Sequence, residues 1–215
     1  MLDSNLSSVF YLISSVLFIL ALKGLSSPES SRRGNIFGVL GMFIAICTLV
    51  MQPNSSNFTL LLSAILIGGL IGSLLGLKIK MTAMPQLVAA FHSLVGLAAV
   101  LVAAGAFLAP EKFNILYENK IKIISTIEMS IGLVIGAITF SGSVIAFAKL
   151  QGIMTGNPIT FKLQHFINAV LAAIIILLIA HFVVNQQLNT FITLAILSFL
   201  LGVLIIIPIG GADMP

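Results

Sequence analysis

Seven apolar runs separated by short polar links set the pattern of the chain, near residues 7–22, 36–51, 58–77, 85–108, 125–148, 165–184 and 191–209. At ~1.5 Å rise per residue, a helix of about 20 residues crosses a hydrocarbon core of roughly 30 Å. The predicted fold is an all-α integral membrane protein, a polytopic bundle of about seven transmembrane helices. The polar turn QPNSSN separates the second run from the third, and GGADMP follows the seventh, where Pro208, Gly210 and Gly211 interrupt the helix. Nothing before the first run resembles a signal peptide: Asp3 is there and no basic residue, so that helix is expected to be retained.

The fourth run carries a histidine. Thr82 can cap it, and Pro85 suits a first helical turn, where a missing N–H costs nothing. Ala89, His92, Gly96, Ala99 and Ala103 recur at steps of three and four and share one small face. Leu87, Phe91, Leu94, Leu101 and Leu108 form a bulky face suited to lipid. His92 is thus predicted to look into a helix bundle, where an ionisable group is a functional candidate; the plain alternative is a neutral histidine bonded to a neighbouring helix. In the third run Gly68, Gly72 and Gly76 lie four apart, a close-packing pattern that fits contacts within the chain as well as dimerisation. In the fifth run Glu128, Gly132, Gly136, Thr139 and Ser143 share a face. Glu128 reads equally as part of a wet path and as a solvated acid near a helix N-terminus. His165 and His181 sit near the ends of the sixth run and read as interfacial.

Composition agrees with the pattern: 59% of residues are hydrophobic, 7% are charged and the mean hydropathy is +1.21. The net charge of +4 is scattered over loops, which argues against nucleic acid. The single cysteine, Cys47, lies in an apolar run and reads as a small core residue; no metal-ligand cluster or catalytic constellation is present. Links after the first, third and fifth runs hold Lys23, Arg32, Arg33, Lys78, Lys80, Lys149 and Lys162, against Lys112, Lys120 and Lys122 in the others. That asymmetry places the N-terminus outside and the C-terminus inside. His92, Glu128 and Asp213 are then spaced as the stages of a proton route.

The segments MPQLVAAFHSLVGLAAVLVA, IGLVIGAITFSGSVIAFAKLQG and IGGADMP, with the link GLSSPESSRRGNIFG, closely resemble the beta subunit of proton-translocating NAD(P) transhydrogenase. The resemblance implies a complex that passes a hydride from NADH to NADP⁺ and couples this to proton movement. It implies an alpha subunit carrying the NAD(H) domain, a soluble NADP(H) domain of the beta subunit beyond the membrane helices, and a dimer of the full complex. It assigns proton translocation to His92 and coupling to Asp213, and it points to Glu128. His92 would take a proton from one side and release it to the other as its surroundings alternate. The family continues past the stretch that ends here at Pro215, so the soluble NADP(H) domain is expected to be absent, with no catalytic residue and no cofactor on this chain. Residue usage rich in Ile, Lys and Asn favours a bacterial inner membrane over a mitochondrial one. The other readings are a stand-alone proton channel or small transporter and an inactive truncated remnant.

Overall fold

A computed structural model of the chain describes residues 3–51, 58–118 and 120–213. The predicted turn at 52–57 and the final proline lie outside the described residues. Among the described residues seven helices are long and apolar enough to cross a membrane, and the chain is an all-α polytopic membrane protein. The helices are α1 (Ser4–Leu25), α2 (Ser31–Val50), α3 (Phe58–Lys78), α4 (Met84–Leu108), α5 (Ile123–Leu150), α6 (Gln164–Asn185) and α7 (Leu188–Ile206). Most begin earlier or end later than their apolar cores, because hydropathy marks the hydrocarbon-compatible stretch while the backbone ladder runs on through polar ends. The clearest exception is the end of α7. It stops at Ile206 rather than running to 209, because Pro208 has no N–H to continue the ladder.

The chain forms two compact units, Met1–Lys78 and Ile79–Pro215. In the first, α1 and α2 make an antiparallel hairpin built on small residues seven apart. Ser7, Ser14 and Ala21 are buried on α1, and Gly34, Gly41 and Thr48 on α2. A seven-residue repeat keeps one seam facing a partner helix. Lipid tails are as apolar as leucine, so burial of apolar surface does not drive this pairing; backbone proximity does. A Cβ placed on Gly34 would lie 2.8 Å from the Ala21 carbonyl oxygen and 2.7 Å from the Leu25 nitrogen. The Ser14 hydroxyl donates to the Gly41 carbonyl at 2.6 Å. Cys47 is half-buried on α2. A Cβ on Gly68, Gly72 or Gly76 of α3 would meet nothing within 4 Å among the described residues.

The second unit holds α4 to α7. Helix α5 packs against α4 and α7, and α6 joins α7. Leu133, Leu194 and Phe182 are fully buried between them. Phe107 of α4 stacks on Phe191 of α7 with centroids 4.9 Å apart, and both meet Phe182 of α6. Four buried hydroxyls are satisfied by carbonyls four residues earlier. Thr126 donates to the carbonyl of Lys122, Ser130 to Thr126, Ser141 to Ala137 and Ser198 to Leu194. This is how a chain tolerates hydroxyls where no water is available.

Between α4 and α5 the chain forms a 3-10 turn at Pro110–Phe113 and a small hairpin, β1 (Leu116–Tyr117) paired antiparallel with β2 (Lys120–Ile121). Gln186, in the turn from α6 to α7, locks this hairpin in place. Its side chain accepts from the Ile121 N–H at 3.0 Å and donates to the Ile121 carbonyl at 2.8 Å. Replacing Gln186 with methionine leaves both Ile121 groups without that partner. The expected loss is about 2 kcal/mol in denaturant unfolding of the detergent-solubilised chain. No change in the midpoint would show the amide to be dispensable.

Candidate functional site

The second unit contains a groove of about 650 Å³ walled by α4 and α7 and floored by α5. It exists because two helix crossings bring α5 very close to each neighbour. At the first, Gly96 of α4 faces Gly136 of α5. A Cβ on Gly96 would lie 2.5 Å from the Phe140 nitrogen and 2.7 Å from the Gly136 carbonyl oxygen. At the second, a Cβ on Gly202 of α7 would lie 2.6 Å from the Ile138 carbonyl oxygen of α5, and one on Gly142 would lie 2.9 Å from Ile206 Cγ1. The groove lies towards the start of α4, where Met84, Pro85, Val88, Ala89 and His92 line it. From α5 come Thr139, Ser143, Ala146 and Leu150, and from α7 Ile205 and Ile206. Gln86 ties α4 to α5 at this end, its Nε2 donating to the Leu150 carbonyl at 3.3 Å. Its Oε1 is buried and has no hydrogen-bond partner among the described residues.

His92 sits on this groove and is exposed there, while Gly96 and Ala103 of the same face are buried against neighbours. The opposite face of α4, with Leu94, Leu101 and Leu108, is open as a lipid-facing surface would be. The Nδ1 atom of His92 lies 2.9 Å from the Val88 carbonyl oxygen. A carbonyl can only accept, so Nδ1 carries the proton in this bond, and Nε2 has no hydrogen-bond partner among the described residues. The hydroxyls of Thr139 and Ser143 have no hydrogen-bond partner among the described residues, unlike those of Thr126, Ser130, Ser141 and Ser198. One imidazole and two uncommitted hydroxyls thus share an otherwise apolar groove.

The other sequence candidates lie elsewhere. Glu128 is exposed near the start of α5, fifteen residues before Ser143, or roughly 22 Å along the helix axis. A Cβ on Gly132 would meet nothing within 4 Å among the described residues, whereas Gly136 is the crossing point with α4. Asp213 is exposed in a 3-10 turn, Gly211–Asp213, after α7, and is not among the residues that line the groove. His165 and His181 are exposed near opposite ends of α6, and Asn185 bonds to the His181 ring. Of His92, Glu128 and Asp213, the groove contains only the first.

Lys149 needs a correction. Its position after an apolar run placed it in a link, as a charge at the membrane surface. It belongs to the last turn of α5 and is only 4% exposed. Its ammonium donates to the carbonyls of Ile207 at 2.6 Å and Ile209 at 2.7 Å. The sequence held one usable signal for it: the helix broken at Pro208 leaves carbonyls without partners.

The family model for the NAD(P) transhydrogenase beta subunit matches residues 7–215. The chain belongs to the NAD(P) transhydrogenase beta subunit family. Two relatives named NAD(P) transhydrogenase subunit beta, both from Rhodospirillum rubrum and one of them from a defined strain, are each 54% identical to it over 211 residues. The aligned stretch covers 98% of this chain and 46% of each relative, so the chain spans about half the length of these transhydrogenase beta subunits. The family match includes the whole groove, His92 and Asp213.

Proposed function

We propose that this chain is the membrane proton-carrying part of an NAD(P) transhydrogenase, in which hydride transfer from NADH to NADP⁺ is coupled to proton movement. One observation supports the reading: His92, with its Nδ1 bonded to the Val88 carbonyl, lines a groove that also holds the hydroxyls of Thr139 and Ser143, which have no hydrogen-bond partner among the described residues. Histidine is the side chain that changes charge nearest neutral pH, and hydroxyls can both accept and donate a proton. Glu128 and Asp213 are proposed to act at the two ends of the route, outside the groove. With Lys149 set aside, the remaining basic residues keep the same asymmetry, and on that ground the start of α4 and Asp213 are proposed to face the inner side of a bacterial inner membrane.

Among the described residues the only strands are two residues long, which is too little for a dinucleotide fold. NAD(H) and NADP(H) are assigned to the alpha subunit and to the remaining part of the beta subunit, and no step here passes through a nucleotide on this chain.

The test is reconstitution in proteoliposomes with those two parts. Reduction of NADP⁺ by NADH should move protons, and Thr139→Val with Ser143→Ala should slow that movement about tenfold while the helices stay folded. Proton flux from this chain alone, independent of nucleotides, would instead favour a channel.

A further inference from the structure

We propose that Lys149 is a positioning residue that fastens the segment after α7, residues 207–213 with Asp213 among them, to the helix that floors the His92 groove. The inference deepens the reading above and rests on it only for its functional meaning.

A lysine at the end of a membrane helix ordinarily runs its stem outward and leaves the ammonium in water. Lys149 does the opposite. Its Nζ donates to three backbone carbonyls, those of Ile207 at 2.6 Å, Ile209 at 2.7 Å and Asn157 at 3.4 Å. Two of these acceptors lie just past the last turn of α7, where carbonyls lack partners and the helix dipole is negative. A buried ammonium is stable only when such partners replace water. The three acceptors match its three N–H groups.

The position of the clamp gives it consequence. Ala146 and Leu150, on either side of Lys149 along α5, line the groove, and so do Ile205 and Ile206, which lead directly into Ile207. Lys149 therefore joins the floor of the groove to its α7 wall at their common end. The Ile207 carbonyl also accepts from the Ile159 N–H at 3.3 Å, and the Gly211 N–H donates to the Gly156 carbonyl at 2.8 Å. Gly210 is buried, and a Cβ there would lie 3.3 Å from the Asp213 carboxylate. The end of α5, the 156–159 link and the 207–213 segment are thus one knot with Lys149 at its centre. A displacement of Asp213 pulls on Lys149, and so on the floor beneath His92.

The experiment uses the full chain in lipid nanodiscs, with ¹³C-labelled histidine and amide hydrogen exchange. The signals of its three histidines, His92, His165 and His181, are assigned by replacing each in turn. In Lys149→Met the Gly211 amide should exchange about tenfold faster, and the His92 ring signal should move. His181, at the other end of α6, should keep its position, and Lys149→Arg should restore both readouts. An unchanged Gly211 amide, an unmoved His92, a His181 signal that moves as much as that of His92, or an arginine that restores nothing would each overturn the proposal. None of these readouts needs transport. A chain that shows the expected shifts but carries no protons with its partners would refute the proposed function and leave the clamp standing.

Discussion

Replacing His92 with glutamine is expected to stop proton movement in the reconstituted transhydrogenase, with a loss of about 100-fold or more, the scale of a lost proton-transfer group. Glutamine is close in size and retains an N–H that can reach the Val88 carbonyl, so helix α4 and the groove should persist. It cannot titrate, and that is the only property the substitution is meant to remove. The measurement is dye-reported acidification of proteoliposomes alongside NADPH formation. Coupled rates within a factor of two of the parent would remove His92 from the route and leave its bond to Val88 as ordinary local satisfaction of a polar ring.

The second large effect concerns the crossing that shapes the groove. Gly96→Val places a branched side chain where even a Cβ would sit 2.5 Å from one backbone atom of α5 and 2.7 Å from another. Backbone cannot swing aside as a flexible side chain can, so α4 and α5 must separate along this stretch. Overpacking of this kind costs about 1–3 kcal/mol and occasionally more; the upper end is expected here because the neighbours are main chain. The separation would also shift the wall that carries His92. Gly132→Ala, on the same helix as Gly136 but with nothing within 4 Å, is the matched control and should be neutral or mildly stabilising. Unfolding of both variants in detergent with SDS distinguishes the outcomes. Equal stability of the two would mean that α4 and α5 do not cross at Gly96.

Much of this architecture is legible in the sequence. The seven helices announce themselves because a membrane demands long apolar runs, and the small face of α4 follows from residues at steps of three and four. Gly96 and Ala103 on that face are buried, and Leu94, Leu101 and Leu108 opposite are open. What was not legible depends on a partner element. Ser7, Ser14 and Ala21 mean little until Gly34, Gly41 and Thr48 are set antiparallel to them. Gln186 looks like turn filler until its amide meets Ile121, and Lys149 looks like a surface charge until the carbonyls after α7 come within reach. Periodicity reports which face of a helix is small or polar, but not how far along that face the neighbour extends. His92 shows this limit: Gly96, a turn further on, is closed over by α5, and at His92 the groove has opened.

The bond from His92 Nδ1 to the Val88 carbonyl has a consequence for leakage. An imidazole relays protons as a wire only if one nitrogen receives while the other releases. Here the second nitrogen is occupied by an acceptor belonging to the same helix, four residues earlier. While that bond holds, a proton carried on the proposed route to Nε2 would have no through-ring exit and would leave by the port it came in through. On the proposed route the ring would work as a turnstile: vectorial transfer would require that port to meet a different neighbour, and a static groove would not by itself short-circuit the membrane.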